Sequence, residues 1–588
     1  MIQRHCRILL GILTITALVY LRGVFTHDFV SLDDLLLIVQ NETVHGLSPT
    51  LLWRAFTSYD PELYVPLTLF TYQVEFSITG LHPVLYHIDN LLLHLGSVVL
   101  VYACVKRISA SESLGLLCAM LFALHPLNVE AVSWAAARKD VLSGFFALLS
   151  FWSFLRFRQE GDRKWYHTSI ATFALALLAK VSVILLPVAW MLLEGRENTQ
   201  KRWKDYAPFF GLMLLFGAIA LFGKTTQIEV MRPGDQLLLS LKALTVTVSR
   251  FLLPIGLNPY YPQRTPIGIN GEFLTVAAAV TLMGVLAWTQ RRRLPVAAWG
   301  MAFFALMMTP SFMNFWKKGT LYVTTDRYGY LGIIGLSVAL GSVLLRASER
   351  LPKRIAQSTG VGLALVLASL SFVQSATWNS SIALYERALA LDPNFAPVLN
   401  NLGAAFYAAG DEERSLALQR KALESDPSLT SASINIALHL RKQGDRAGAL
   451  KMLRTGIAQI PPHRPALEEE VTAWSLLGTL LDEQGNIDDA LAAFAKGAEH
   501  APKSPDAHYN YGVMLQKYGR REDARRELLA YLDLRPHDIE GRYRLAAMEA
   551  ELGLLSEAQK NLAIVVSRNP EYEKSAEHLR RIQSLLKK

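Results

Sequence analysis

Residues 84–105 read VLYHIDNLLLHLGSVVLVYACV, and Lys106 and Arg107 follow them directly. About 20 predominantly apolar residues are long enough to cross the hydrocarbon core of a bilayer as an α-helix. Basic residues next to such a run are typical of its cytoplasmic end. The stretch therefore predicts a transmembrane helix whose C-terminal end lies in the cytoplasm.

The composition of the whole chain also favours a membrane protein. Of its 588 residues, 51% are hydrophobic and only 19% are charged, which is unusually apolar for a soluble protein of this size. The long apolar runs are concentrated in residues 1–377, whereas 378–588 have the composition of water-soluble helices. The sequence thus predicts an all-α protein, with a polytopic helical membrane domain at 1–377 and a soluble helical domain at 378–588.

The net charge of +9 does not indicate nucleic-acid binding. The basic residues cluster in short loops between apolar runs, where the positive-inside rule places them in the cytoplasm. The three cysteines, Cys6, Cys104 and Cys118, lie in or beside apolar runs without metal-type spacing, which argues against a disulfide framework. The first apolar run lacks a convincing small-residue cleavage site, and we interpret it as a retained anchor.

Eleven segments are predicted to cross the membrane: 8–25, 84–105, 113–126, 141–155, 166–179, 181–193, 207–223, 273–289, 296–313, 328–345 and 356–376. With the N-terminus inside, every basic loop falls in the cytoplasm, and the odd total places the C-terminal domain outside. Residues 166–193 could form one tilted helix, but basic loops on both sides favour two short crossings with Lys180 at the outer tip. The apolar stretch 237–256 carries Lys242 and Arg250, and we interpret it as a helix on the outer membrane surface.

Several basic residues fall on the predicted outer face, where such side chains are disfavoured near spans: Arg138, Lys180, Lys317, Lys318 and Arg327. Contact with lipid head groups, or ion pairs such as Arg138 with Asp140, would explain them structurally. A set that converges near the adjacent carboxylates Asp33 and Asp34 would instead suit a lipid-linked phosphate, whose negative charge needs cationic partners.

The soluble domain repeats with a spacing of 34 residues. The eighth position is always small, the fifteenth is always glycine, and a proline stands near the end: Gly403, Ala437, Gly478, Gly512 and Ala546; Gly410, Gly444, Gly485, Gly519 and Gly553; Pro427, Pro461, Pro502, Pro536 and Pro570. This is the tetratricopeptide (TPR) pattern, in which small residues let paired helices touch and proline ends the second helix. Such a helical groove binds extended peptide or another protein, so we expect binding rather than chemistry from this domain.

The repeats are predicted at 396–429, 430–463, 471–504, 505–538 and 539–572. A half-repeat with Tyr385, Ala388 and Pro393 precedes them, and a polar capping helix is predicted at 573–586.

Short motifs follow one another through the membrane domain: Phe29-Val30 with Asp33-Asp34 and Asn41, Tyr64 to Thr68, His87 with Asn90 to His94, Leu124 to Glu130, Arg138 to Ser143, Ala179-Lys180, Tyr261-Pro262 and Asp326-Arg327-Tyr328. In this order, and with the TPR array, they resemble bacterial relatives of the eukaryotic transmembrane-and-TPR O-mannosyltransferases. The block from His125 to Ser143 is the most specific part of the resemblance.

The resemblance implies the GT-C glycosyltransferase fold. Such enzymes transfer a sugar from a polyprenyl-phosphate donor to an acceptor on the outer side of the membrane, here a hydroxyl acceptor such as protein Ser or Thr. The resemblance also implies that an acidic residue of the first outer loop acts as base or metal contact, which in this sequence is Asp33 or Asp34.

The chemistry of glycosyl transfer to a hydroxyl predicts a role for each candidate residue. Transfer to a hydroxyl needs a carboxylate to accept the proton, and adjacent carboxylates raise one another's pKa or chelate a divalent cation. The predicted site comprises Asp33 and Asp34 as catalytic residues, Arg138, Lys180 and Arg327 as ligands of the donor phosphate, and His125, Glu130, Asp140, Asp326 and Tyr328 in support. Structural alternatives are a helix cap at 35–40 for the acidic pair, and a helix-end cap or packing contact for His125 and Glu130. The residues leave open whether a divalent cation takes part.

We therefore predict an integral-membrane glycosyltransferase of the bacterial inner membrane, with periplasmic TPR repeats that bind the acceptor or a partner protein. The alternative is a non-catalytic, membrane-anchored TPR scaffold for protein-complex assembly. The two differ in their dependence on Asp33 and Asp34, which only the enzyme needs.

Overall fold

Two helical units make up the protein, Met1–Leu391 and Asp392–Lys588. The computed structural model describes residues 2–59, 63–224, 231–317, 320–461 and 466–587. Helices account for most of these residues, and the predicted all-α class is confirmed. The first unit extends past residue 377, where the membrane domain was predicted to end, because it includes the helix Ser381–Leu391.

Sixteen α-helices lie in the described part of the first unit. They are α1 Ile2–Thr26, α2 Pro49–Thr57, α3 Pro66–Thr79, α4 Pro83–Ser109, α5 Glu112–Leu124, α6 Val129–Ser133, α7 Arg138–Glu160, α8 Arg163–Ala179, α9 Leu186–Lys201, α10 Ala207–Lys224, α11 Pro233–Leu252, α12 Gly271–Gln290, α13 Pro295–Met308, α14 Gly332–Ser348, α15 Lys353–Ser375 and α16 Ser381–Leu391. An antiparallel pair of two-residue strands, β1 Trp316–Lys317 and β2 Thr320–Leu321, lies between α13 and α14.

Six helical segments of the described chain are long and apolar enough to cross a membrane: Gln3–Thr26, Pro83–Ser109, Ala135–Glu160, Gly271–Gln290, Pro295–Met313 and Lys353–Trp378. The pair Glu112–Leu124 and Pro126–Ser133 would be a seventh if it is one span, bent by 54° at a proline that interrupts the helix. Val181–Gly195, Ala207–Gly223 and Gly332–Ser348 are apolar but shorter. These helices indicate an integral membrane protein, while the count of eleven crossings stays a prediction.

The stretch 166–193 is interrupted at Lys180. α8 ends at Ala179, and the backbone of Lys180 is extended, with φ −166° and ψ 132°. A 3₁₀ turn at Val181–Val183 follows before α9 begins. One continuous helix over 166–193 is thus excluded, and Lys180 lies at the break.

Glycines bring α13 and α14 into close contact. A Cβ atom added at Gly300 or at Gly335 would collide with the carbonyl oxygen of the other residue. Small residues of this kind let membrane helices approach closely. Because α14 follows shortly after the 3₁₀ turn Asp326–Gly329, this crossing holds in place the segment that carries Arg327.

The described part of the second unit consists of helix pairs and a final helix. They are α17 Ala396–Ala408 with α18 Glu412–Ser425, α19 Thr430–Lys442 with α20 Arg446–Ala458, α21 Glu468–Glu483 with α22 Ile487–His500, α23 Pro505–Lys517 with α24 Arg521–Leu534, α25 Ile539–Glu551 with α26 Leu555–Arg568, and α27 Ser575–Leu586. The glycine between the helices of each pair has φ between 71° and 85°, a conformation that glycine adopts without strain. A Cβ at Gly403 would lie 3.0 Å from the Ser415 carbonyl oxygen of the paired helix, which explains the small residue at that position.

Candidate functional site

Asp34 is fully buried in the loop between α1 and α2, with 0% of its surface exposed. Its Oδ2 accepts a hydrogen bond from the Val30 N–H at 2.8 Å, and its Oδ1 accepts one from the Ala136 N–H at 2.7 Å. Asp34 precedes the helical turn Leu35–Val39, but its side chain makes no hydrogen bond that caps this turn. Asp34 therefore does not form the helix cap that was its structural alternative.

Burial raises the pKa of Asp34 to about 7, although the two backbone N–H groups lower it. The Asp33 carboxylate raises this pKa by a smaller amount, and Lys139 lowers it. Desolvation is thus the main cause of the raised pKa of Asp34. The adjacent carboxylate, which the sequence predicted as a cause, contributes less. A carboxyl group that titrates near neutrality is suited to accept a proton and to release it again.

The N–H group that binds Asp34 becomes available at a break between α6 and α7. Trp134 is extended, with φ −91° and ψ 125°, and Ala135–Ala137 form a 3₁₀ turn before α7 begins. The first N–H groups of a helix have no partner within it. Asp34 supplies the partner for Ala136, while the Asn90 side chain donates to the Trp134 carbonyl at 2.9 Å.

Asp33 contacts the start of α7 through Lys139. The Lys139 Nζ donates to the Asp33 Oδ2 at 3.0 Å; the lysine side chain is 5% exposed and the aspartate side chain is 44% exposed. The Lys139 ammonium also lies 5.9 Å from the centre of the Trp134 ring, within the range of a cation–π contact. This pair connects the buried start of α7 with solvent.

Asp140, the next residue of α7, faces two further cations. Lys180 Nζ donates to its Oδ1 at 2.5 Å, and Arg327 Nε lies 3.9 Å from its Oδ2. Burial lowers the pKa of the Lys180 ammonium, and the Asp140 carboxylate opposes this effect. The ammonium lies 5.5 Å from the centre of the Tyr328 ring. The break between α8 and α9 thus directs Lys180 towards the start of α7.

Arg327 is held by Glu130. Its Nη1 donates to Glu130 Oε1 at 2.5 Å, and its guanidinium carbon lies 4.7 Å from the centre of the Trp134 ring and 5.1 Å from that of Tyr328. Burial lowers the pKa of Arg327, but the surrounding acidic groups, Glu130 most and Asp33 among the others, raise it above its ordinary value. The contribution of Asp33 indicates that the acidic loop and Arg327 share one electrostatic environment.

Three basic side chains thus converge at the start of α7, and we call Lys139, Lys180 and Arg327 the basic cluster. The two that were predicted as phosphate ligands, Lys180 and Arg327, share Asp140 as a partner. Lys139 was not predicted, although it lies inside the motif from Arg138 to Ser143. The sequence contained a signal for it, a basic residue that directly precedes Asp140 at the beginning of a helix.

Arg138, by contrast, lies in a separate buried network. Its guanidinium contacts Glu75 Oε1 at 2.7 Å, Asn90 Oδ1 at 2.5 Å and the Tyr86 carbonyl oxygen at 2.7 Å, and its side chain is 1% exposed. The structure therefore does not bring Arg138 together with the basic cluster. Its main ionic partner is also not Asp140, the neighbour that the sequence offered as a structural explanation.

His125 serves as a structural contact at the end of α5. Its Nδ1 accepts the Leu127 N–H at 3.2 Å, and its Nε2 lies 2.9 Å from the Phe251 carbonyl oxygen. Because both ring nitrogens contact backbone groups, His125 links α5 to the end of α11. This contact is the structural alternative stated for His125.

Asp326 lies beside the basic cluster and binds a tyrosine. The Tyr261 hydroxyl donates to its Oδ1 at 2.8 Å. Burial and, after it, the Glu130 carboxylate raise the pKa of Asp326 well above its ordinary value. The motifs Tyr261-Pro262 and Asp326-Arg327-Tyr328 are thus in direct contact, and Asp326 supports the loop that carries Arg327.

Lys318 and the side chain of Lys317 lie outside the described residues. Within the described ranges, no group of three or more His, Cys, Asp and Glu side chains is arranged to hold a metal ion. The carboxylates of Asp33, Glu130 and Asp140 each face a basic side chain instead.

Models of known families match several parts of the chain. Residues 65–222 match a family model described as dolichyl-phosphate-mannose-protein mannosyltransferase, and this range includes Lys139, Asp140 and Lys180. Residues 371–410, 434–505 and 483–547 match TPR models. The predicted resemblance is confirmed. The TPR repeats of the second unit are confirmed by the same matches.

The chain is also similar to curated proteins that are named protein O-mannosyl-transferases. Human protein O-mannosyl-transferase TMTC1 is 34% identical over 152 residues, which are 24% of this chain and 17% of that protein. Mouse protein O-mannosyl-transferase TMTC4 is 24% identical over 467 residues, 66% of this chain and 62% of that protein. The chain thus spans less than two thirds of the length of these relatives.

Among solved structures, the chain is similar to YrrB, a TPR protein with an unusual peptide-binding site. The identity is 19% and the TM-score 0.26, with 34% of this chain and 97% of that chain covered. The TPR assignment here depends on the helix pairs, the positive-φ glycines and the family models.

Proposed function

We propose that this protein is an integral-membrane glycosyltransferase that moves a mannosyl group from a polyprenyl-phosphate donor to a protein hydroxyl. The observation that carries the proposal is the meeting of a buried carboxyl group, Asp34, and the basic cluster at the start of α7. The match of 65–222 to a mannosyltransferase model, and the names of the relatives, support mannose as the sugar.

Asp34 acts as the base. As the acceptor oxygen bonds to the sugar carbon, that carbon releases the donor phosphate and the acceptor proton passes to a carboxylate oxygen of Asp34. The N–H groups of Val30 and Ala136 orient this carboxylate, and each of its oxygens keeps a second lone pair for the proton. The raised pKa of Asp34 makes it a stronger base than an exposed aspartate would be.

The basic cluster stabilises the departing phosphate. Charge develops on the phosphate oxygens as the bond to the sugar breaks, and positioned cations lower the free energy of that transition state. The buried Nε of Arg327 has no hydrogen-bond partner among the described residues. It lies 3.9 Å from Asp140 Oδ2, so one cationic donor at this point is available to an oxygen of the substrate. We assign Lys139, rather than Arg138, as the third phosphate ligand.

The distribution of basic loops supports a site on the non-cytoplasmic face, which in a bacterium is the periplasmic side of the inner membrane. The TPR repeats then bind the acceptor protein or a partner. The polyprenyl-phosphate sugar is the donor substrate in this assignment.

The test compares cells that produce the wild-type protein with cells that produce Asp34→Asn. Intact masses of outer-side proteins are expected to lose a hexose-sized increment in the variant, because the amide cannot accept the proton. Asp235→Asn is the matched control, since Asp235 lies in the first turn of α11 on the same predicted face and outside the site.

Equal masses in wild-type and Asp34→Asn cells, with both proteins folded and membrane-inserted, would overturn the assignment. Retained binding of a partner protein by both would then favour the non-catalytic TPR scaffold.

A further inference from the structure

Helix α16 is part of the first unit and contacts the loop that carries Asp34. Its sequence was interpreted as a half-repeat, and the TPR match at 371–410 covers it. Nevertheless Tyr385 of this helix is fully buried, as are Leu384 and Ala388, and its hydroxyl contacts Ser31 of the same unit. The helix therefore has a packing role there.

All three polar groups of Ser31 bind side chains of α16. The Ser31 N–H donates to Ser381 Oγ at 2.8 Å, and the Tyr385 hydroxyl donates to the Ser31 carbonyl oxygen at 2.5 Å. The Ser31 hydroxyl lies 3.2 Å from the same Tyr385 oxygen, which can accept its proton. Two side chains thus fix both the backbone and the side chain of one loop residue.

Ser31 lies inside the short turn that Asp34 closes. It directly follows Val30, whose N–H binds Asp34, and the Leu32 N–H donates to the Val30 carbonyl at 2.7 Å within the same turn. Because Val30 directly precedes Ser31, a displacement of the Ser31 backbone would also displace Val30, whose N–H binds the Asp34 carboxylate. The constraint that α16 applies to Ser31 is therefore transmitted to Asp34 through the adjacent residue Val30 and its hydrogen bond to the carboxylate.

The segment before α16 holds two other parts of the site. The Asp28 N–H donates to the Asn379 carbonyl at 3.0 Å, which anchors the beginning of the acidic loop. The Trp378 ring stacks on Trp134, with 5.4 Å between the ring centres and 19° between the planes. Trp134 is the ring over which Arg327 lies, so residues 378–385 contact both the acidic and the basic side of the site.

We propose that Tyr385 and Ser381 of α16 are positioning residues, which act through Ser31 to hold Asp34 buried and aligned for proton transfer. This inference deepens the proposed function and rests on it for the catalytic consequence, while the anchoring of the loop is testable without any activity. Without the Tyr385 hydroxyl, the loop opens more often and water reaches Asp34. Hydration stabilises the charged carboxylate and lowers its pKa, and misalignment slows the transfer.

The experiment uses full-length Tyr385→Phe, which keeps the buried ring and removes the hydroxyl. Tyr166→Phe is the matched control, because the Tyr166 hydroxyl also donates to a backbone carbonyl, that of Asp205 at 3.2 Å, on the predicted cytoplasmic side. Hydrogen exchange followed by mass spectrometry reports on the opening of the loop 28–36. Faster exchange there is expected in Tyr385→Phe and unchanged exchange in Tyr166→Phe.

The kinetic measurement follows mannosyl transfer from a polyprenyl-phosphate mannose in detergent. Tyr385→Phe is expected to lower kcat by about tenfold, with KM for the donor changed by less than about twofold, because alignment rather than binding is lost. The acidic limb of the kcat–pH profile is expected to move to lower pH, a change that a general loss of folded protein would not produce.

Ser381→Ala provides a second variant if Tyr385→Phe does not fold. Ser381 is dispensable as a helix cap, because Ser380 Oγ accepts the Ala383 N–H at 3.2 Å. Unchanged exchange of the loop in the folded variants would overturn the positioning role. If the wild-type protein transfers no sugar while the loop exchanges faster in the variants, the proposed function fails and the anchoring by α16 stands.

Discussion

Arg138 and Lys139 are neighbours in the first turn of α7, yet they lie in two different environments. Arg138 is bound entirely by protein groups, with Glu75 as its ionic partner and a side chain that is 1% exposed. Lys139 reaches Asp33, whose side chain is 44% exposed. Successive residues of an α-helix point about 100° apart around its axis. Adjacent positions can therefore place one cation in the core and the next at the site.

The two cations differ in what they can do. A buried cation whose donors all bind protein groups can leave them for a ligand only at the cost of leaving a buried carboxylate unpaired. A lysine that pairs with a half-exposed carboxylate can exchange that partner for a phosphate, because water solvates the released carboxylate. Arg138 is thus expected to serve stability, and Lys139 to serve the substrate.

Arg138→Leu should have the largest effect of the substitutions at this helix start. It leaves Glu75 without its ionic partner and leaves the Tyr86 carbonyl without a donor, which costs on the order of 3–5 kcal/mol for a broken buried pair. Thermal unfolding of the purified protein in detergent, together with the yield in membranes, measures the loss. Lys164→Leu is the control, since Lys164 pairs with Asp162 at the surface and such pairs contribute at most about 1 kcal/mol. A folded Arg138→Leu protein with wild-type stability would show that the buried network is not a structural one.

Lys139→Met should reverse this pattern, with a small effect on stability and a large one on activity. Removal of the ammonium leaves Asp33 solvated, so we expect a stability change within about 1 kcal/mol. Loss of one cation at the departing phosphate should lower kcat by about 10²-fold. Transfer assays and unfolding measurements on the same preparations separate the two effects. A wild-type kcat in Lys139→Met would remove Lys139 from the site and return the assignment of the third phosphate ligand to Arg138.

The contrast between Arg138 and Lys139 also explains which features of the fold and the site could be predicted from the sequence. The first helices of four repeats begin at Ala396, Thr430, Pro505 and Ile539, where the repeats were expected to start. The regular spacing of turn glycines and prolines is a local signal for these starts, and Ser504 and Asp538 also cap the helices that follow them. The first helix of the third repeat begins at Glu468, before residue 471, where the repeat was expected to start. It has acidic residues in its first turn, which favour a helix start.

The site depends on contacts that are distant in the chain. The bond between Asp34 and the Ala136 N–H joins residues separated by 102 positions, and it exists only because the helix is interrupted at Trp134. No local pattern determines which of Arg138 and Lys139 points towards Asp33, since the 3₁₀ turn before α7 sets the rotation of that helix. The motif could be predicted from the sequence, whereas the direction of each side chain could be known only from the folded structure.

The pH dependence of transfer should show the smallest and most specific effect. Because burial raises the pKa of Asp34 to about 7, the base is protonated below that pH, and kcat should fall about tenfold for each pH unit below it. Asp33→Asn removes a negative charge that raises this pKa and frees the Lys139 ammonium, which lowers it. Both changes favour the ionised carboxylate of Asp34, so the acidic limb should move to lower pH.

Profiles of kcat for the wild-type protein and Asp33→Asn, measured between about pH 5 and about pH 9, decide which carboxylate is the base. If Asp34 is the base, Asp33→Asn keeps activity and shifts the limb. An Asp33→Asn protein that is inactive at every pH, with Asp34→Asn still active, would assign the base to the exposed carboxylate. The role of burial at Asp34 would then be structural, as it is at Arg138.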